Sequence, residues 1–179
     1  VNTLVELAEA GIDIKILTNS FDATDVTAVH SGYSQWRPSL LRAGVKIYEL
    51  KSTASEEKRE NKLWKARSQS STSLHAKTFA VDDYQVFIGS YNVDPRSANI
   101  NTEMGVIIND EELAKQLHSA LSDELLGQAY EVKLLENGSL QWHTVEAGEK
   151  VVYDSEPRVD ISDHVWLAIM SWLPIDWLL

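Results

Sequence analysis

Residues 73–106 read SLHAKTFAVDDYQVFIGSYNVDPRSANINTEMGV, and the order of residue types in this stretch decides the fold. Thr78 to Val81 and Tyr84 to Ile88 are short apolar runs separated by Asp82-Asp83, so they read as two strands joined by a tight turn. His75 and Lys77 stand two apart, a spacing that on a strand projects an imidazole and an ammonium to one face. The second strand ends at Gly89-Ser90, which brings backbone N–H groups, the Ser90 hydroxyl and the Asn92 amide to the same edge. A nucleophile or acid, a fixed cation and neutral donors are the parts needed to handle a phosphodiester without a metal.

The flanking sequence alternates helix and strand. Thr3 to Ala10 reads as a helix stopped by Gly11, followed by an apolar strand over Ile12 to Leu17. Asp22 to Ala43 reads as helix, with Pro38 marking a break or a new first turn, and Gly44 closes it before a strand over Val45 to Leu50. Lys51 to Ser73 is polar and reads as a long loop leading directly to His75. After the hairpin, Met104 to Ile108 is a strand, and Asp110 is an N-cap that opens a helix to about Leu126. Tyr130 to Leu135, Leu140 to Val145 and Val151 to Tyr153, turning at Asn137-Gly138, read as a small β-meander. Ile161 to Trp172 is a final helix, stopped near Pro174. The pattern predicts an α/β fold with a mixed sheet flanked by helices.

Composition narrows the partners. The 16 Lys and Arg residues against 27 Asp and Glu give a net charge of −11, which counts against nucleic acid, whose binding draws on basic groups neutralising phosphates. Basic clusters at Lys58-Arg59 and Lys62 to Arg67 sit among Glu56, Glu57 and Glu60 and read as a solvated polar loop. With no cysteine, disulfides and thiol chemistry are excluded. The 179 residues suffice for one good core, and a single domain over 1–179 is expected, with 130–179 as a C-terminal extension packed on it. The chain opens Val1-Asn2-Thr3 without an initiator Met, with its first helix already under way, as though it starts inside a longer protein. Its tail, from Val165 through Trp166, Trp172 and Trp177 to Leu179, is too short to span a bilayer and rich in the interfacial residue tryptophan. Packing on the protein body or on another lobe is the favoured reading, with shallow insertion as the alternative.

His75, Lys77 and Asp82 in the spacing H-x-K-x4-D, running on into Gly89-Ser90-Tyr91-Asn92, resemble the HKD motif of the phospholipase D superfamily. Asp94-Pro95-Arg96-Ser97 and Asn101-Thr102-Glu103-Met104-Gly105 narrow the resemblance to bacterial cardiolipin synthases. Ile16 to Ser20, Ala28 to Tyr33, Leu40 to Leu50 and Ser171 to Leu179 fit the same group, most like its cardiolipin synthase C branch. Such enzymes carry two HKD motifs in one polypeptide and this chain has one, so the resemblance is to a C-terminal half.

The resemblance implies a phospholipase D-like fold and a phosphatidyltransferase acting on phosphatidylglycerol through a phosphohistidine, with phosphatidylglycerol or phosphatidylethanolamine as acceptor. In two-motif relatives the N-terminal histidine is the usual nucleophile, which makes His75 the general acid/base. Lys77 and Asn92 would hold the phosphate oxygens, with Ser90 as a weaker ligand. Glu103 would hold and steady the imidazole, its alternative being a surface carboxylate at a strand end. Asp82, in the turn at odd spacing from His75, is expected to fix the turn or a salt bridge rather than touch substrate, Gly89 to form the following turn, and Asp94 and Arg96 to pair and shape their loop. His30 and Tyr33 would reach the lipid headgroup or simply pack.

No metal or organic cofactor is implied. The expected partners are phospholipid at a bacterial cytoplasmic membrane surface, held peripherally, and the N-terminal HKD half or a second copy. Alone, the chain is expected to be inactive unless it dimerises. The rival readings are a homodimeric phosphodiesterase or nuclease of the same superfamily, and a lobe that only binds lipid or a partner.

Overall fold

A computed structural model describes residues 1–24, 27–53, 74–75, 77–92, 97, 99–121 and 123–158. The expected 54–73 part of the long loop, the pair Asp94 and Arg96, the final helix and the tryptophan-rich tail lie outside the described residues.

The elements in chain order are α1 (Asn2–Glu9), β1 (Lys15–Asn19), a 3-10 turn (Phe21–Ala23), α2 (Thr27–Ser34), α3 (Arg37–Arg42) and β2 (Lys46–Leu50). Then come β3 (Lys77–Val81), β4 (Gln85–Gly89), β5 (Gly105–Asn109), α4 (Glu111–Ala120), β6 (Ala129–Leu134), β7 (Leu140–Glu146) and β8 (Glu149–Tyr153). The described residues form two compact units, one holding β1, β2 and β6 to β8 with α1 to α3, the other holding β3 to β5 with α4. The α/β reading holds, with the strands divided between a five-stranded mixed sheet and a three-stranded antiparallel one.

In the first unit the sheet order is β1-β2-β6-β7-β8. β1 and β2 run parallel, with Lys15 opposite Lys46 and Asn19 opposite Leu50, and β6 closes antiparallel on β2. The meander therefore continues the β1–β2 sheet. Both helix ends before these strands are glycine caps. Gly11 (φ 94°) and Gly44 (φ 97°) occupy the left-handed region that lets their N–H groups return to Ala8 and Leu41. Ile12 and Val45 then bond back to Leu7 and Leu40, completing a Schellman pattern that aims each chain into its strand. Leu40, Val45, Ile47, Tyr130, Val132 and Trp142 form the core, and α1 packs Leu4, Val5 and Ala8 against it.

In the second unit β3, β4 and β5 form a meander in which Phe79, Phe87 and Ile107 stand in one row. The Phe79 and Phe87 rings stack at 4.8 Å, a cross-strand pair of the kind worth about 0.5–1.5 kcal/mol beyond its area. α4 packs against β3 and β4, and Val86 and Ala114 are buried. Asp110 caps α4 by accepting from the Leu113 N–H at 3.0 Å, as its position before Glu111 and Glu112 predicts.

Candidate active site

β3 begins at Lys77, which stands opposite Gly89, and Gly105 completes the row. His75 thus leads into the strand rather than lying within it, and side chains alternate between the two faces only from Lys77 onward. The reason is local. β4 ends at Gly89, where the Ser90 N–H turns to the Met104 carbonyl at 2.8 Å, so no residue of β4 pairs with His75. The two motif residues are linked differently: the Lys77 ammonium donates to the His75 carbonyl at 3.0 Å. The imidazole of His75 and the side chain of Asn92 are exposed. Asn92 is held from behind, its backbone N–H reaching the Ser97 hydroxyl at 3.4 Å.

Ser90 and Glu103 form a short polar contact at this edge. The Ser90 hydroxyl donates to Glu103 Oε2 at 2.5 Å and accepts from the Met104 N–H at 3.0 Å. Hydrogen bonds from Ser90, Ser97 and Asn101 lower the Glu103 pKa, and the nearby Lys77 charge adds to them. Glu103 is therefore a carboxylate at neutral pH, joined to the row that holds Lys77. Among the described residues its hydrogen bonds go to these neighbours and none goes to His75. Ser97 and Asn101 were not singled out in the sequence, although both belong to the quoted segment around Glu103.

Asp82 occupies the turn that its position predicted. Its φ of 50° lies in the left-handed region that Asp tolerates better than most residues, and its carbonyl accepts from His118 Nε2 at 2.6 Å. That bond ties α4 to the hairpin. Gly89 is required by crowding: a Cβ there would lie 2.6 Å from both the Met104 carbonyl oxygen and the Phe87 ring. Among the described residues no cluster of three or more His, Asp or Glu side chains is placed to hold a metal ion.

His30 and Tyr33 lie in the other unit, within a polar network that sequence spacing does not reveal. His30 is 2% exposed, its Nε2 is 2.6 Å from Glu156 Oε1, and its ring packs edge-on to Phe21 and Tyr33. Arg37 donates to Glu49 at 2.7 Å and to Glu156 at 2.6 Å, and stacks over Tyr33 and Trp142. Glu49, fully buried, also accepts from the Tyr33 hydroxyl at 3.0 Å and from Trp142 Nε1 at 2.9 Å. Burial pushes the Tyr33 pKa well up, and the Glu49 charge pushes the same way. Burial also raises Glu156, but hydrogen bonds from His30 and Arg37 outweigh it and bring the carboxyl down to about 2. Arg37, Glu49, Trp142 and Glu156 were absent from the sequence-derived site because their partners are far apart along the chain. Among the described residues, Nδ1 of His30 has no hydrogen-bond partner.

Residues 1–125 match the family described as cardiolipin synthase, PLD-like domain. The chain belongs to this family. It is 39% identical over 176 residues to cardiolipin synthase C of Escherichia coli K12, covering 98% of this chain and 37% of that protein. An uncharacterised protein of Helicobacter pylori 26695 is 32% identical over 145 residues, 81% of this chain and 25% of the relative. A cardiolipin synthase of Staphylococcus aureus Mu50 is 33% identical over 87 residues, 49% of this chain and 14% of the relative. The chain thus spans little more than a third of the E. coli relative's length. No solved structure matches it. The family match covers both the β1–β2 region and the whole of β3 to β5.

Proposed function

We propose that this chain is the C-terminal half of a two-motif phosphatidyltransferase of the cardiolipin synthase type, acting on phosphatidylglycerol. The observation that carries the reading is the family match over a hairpin edge bearing exposed His75 and Asn92 beside Lys77. In the first step a histidine of the N-terminal motif forms an N–P bond while the P–O bond to the headgroup glycerol breaks. His75 gives its proton to the departing glycerol oxygen. In the second step His75 takes the proton from the acceptor lipid's hydroxyl. The new O–P bond then forms as the N–P bond breaks, restoring both histidines. Lys77 and Asn92 hold the non-bridging oxygens, whose charge grows between ground and transition state. Glu103 supports the cationic edge and steadies the imidazole.

The substrate is lipid, so the enzyme works at a bacterial membrane surface. Among the described residues no helix is long and apolar enough to cross a membrane, which fits peripheral attachment. The N-terminal motif comes from the same polypeptide, with a second copy of this chain as the substitute. The experiment is incubation of the full-length enzyme with phosphatidylglycerol vesicles, with products resolved by mass. Cardiolipin with released glycerol is the expected result. Phosphatidic acid alone would replace transfer by hydrolysis, and no lipid turnover would remove the proposal.

A further inference from the structure

Asn19, the last residue of β1, makes a two-point contact 55 positions along the chain. Its Oδ1 accepts from the Leu74 N–H at 2.7 Å, and its Nδ2 donates to the Leu74 carbonyl at 3.1 Å. Leu74 is the residue bonded to His75. One hydrogen bond fixes a distance. Two bonds from a planar amide to both backbone groups of one residue also fix the rotation of that backbone, as a neighbouring strand would.

The base of this clamp is firm. Asn19 stands opposite Leu50 in the parallel β1–β2 ladder. The next residue, Ser20, is 3% exposed and delivers both its N–H (3.0 Å) and its hydroxyl (2.5 Å) to the Leu50 carbonyl. Lys51 then bonds Gln128 through its N–H at 2.9 Å, so the strand ends below Asn19 are tied on both sides. His75, by contrast, precedes the first ladder pair of β3, and its side chain has no hydrogen-bond partner among the described residues. The residue bonded to His75 on its N-terminal side, Leu74, is held by Asn19 at both backbone groups.

We propose that Asn19 is a positioning residue for His75, holding the backbone before the catalytic imidazole so that it meets the substrate phosphate in one orientation. The inference rests on the reading of His75 as the acid/base of phosphatidyl transfer. Residue type matters at this position. Aspartate keeps the acceptor for the Leu74 N–H but sets an oxygen against the Leu74 carbonyl, and alanine removes both bonds.

The test is steady-state transfer by the full-length enzyme with Asn19→Asp, Asn19→Ala and, as a control, His75→Ala. Misplacing a reacting group by about 1 Å costs about 100-fold. Both Asn19 variants should therefore lose between about 10-fold and 100-fold in kcat, with KM and melting temperature near wild type. An Asn19→Asp kcat within twofold of wild type beside an inactive His75→Ala overturns the clamp and leaves the functional reading standing. A fully active His75→Ala overturns the functional reading itself. Should the variants fail to fold, hydrogen exchange at the Leu74 amide of the wild-type enzyme decides. Exchange well below the free-peptide rate is expected, and exchange at that rate overturns the proposal.

Discussion

The Ser90 hydroxyl donates to Glu103 Oε2 at 2.5 Å, and the bond joins the end of β4 to the approach of β5 beside Lys77. It holds a carboxylate, lowered in pKa by three neutral donors, next to the motif lysine. The proposed mechanism assigns that charge two tasks, offsetting Lys77 between turnovers and steadying the imidazolium during them. Glu103→Gln keeps an acceptor for Ser90 but deletes the charge. The full-length enzyme carrying it should lose about 10- to 100-fold in transfer rate, an orientational and electrostatic loss, with its melting temperature near wild type. Near-normal turnover would take Glu103 out of the mechanism.

His75, Lys77 and Asn92 should share one anion. Phosphate, sulfate or tungstate soaked into crystals is expected within hydrogen-bond reach of all three side chains, at about 2.7–3.2 Å. An anion bound to Lys77 with His75 and Asn92 turned away would separate the motif into unrelated residues.

The five-stranded unit buries a charged network. Glu49 is fully buried and accepts from Tyr33, Arg37 and Trp142. Removing one partner of a buried ion pair leaves the other charge uncompensated, which costs about 3–5 kcal/mol. Glu49→Ala should destabilise by about that much in urea unfolding, and a loss under 1 kcal/mol would show that the network contributes little.

Acid should weaken the same unit through Glu156. Its folded pKa of about 2 lies below the ordinary value of 4.5, so its contribution is complete above 4.5 and is lost as pH falls toward 2. The difference of about 2.5 pH units corresponds to roughly 3 kcal/mol at neutral pH. Glu156→Gln should flatten the fall in unfolding free energy between pH 4.5 and 2. An unchanged slope would show that other carboxyls carry the acid sensitivity.

These features differ in how far the sequence discloses them. The β3–β4 hairpin was readable because its signals are local: apolar strands, an Asp82 that accepts a φ of 50°, and a glycine that stops the ladder. The first meander turn was readable for the same reason, since Asn137-Gly138 places a glycine at positive φ. The placement of β6 beside β2 was not, because strand order follows from which apolar faces meet, and Ile47 opposite Val132 is a tertiary fact. The candidate residues His75, Lys77, Ser90, Asn92 and Glu103 lie within one short segment, so sequence alone sets them side by side as candidates. The pairing of His30 with Glu156 spans 126 positions and the clamp of Asn19 on Leu74 spans 55, so no spacing announces either. The shared face expected of His75 and Lys77 depended on a strand beginning before His75, and β3 begins after it.

The central claim is that His75 is the proton donor and acceptor for transfer at phosphorus. The most direct measurement is the rate of cardiolipin formation from phosphatidylglycerol by full-length His75→Ala, beside wild type at equal protein concentration. General acid–base catalysis contributes about 10²- to 10⁴-fold, so the variant should fall by that factor while remaining folded. Cardiolipin formation by His75→Ala at the wild-type rate would contradict the account.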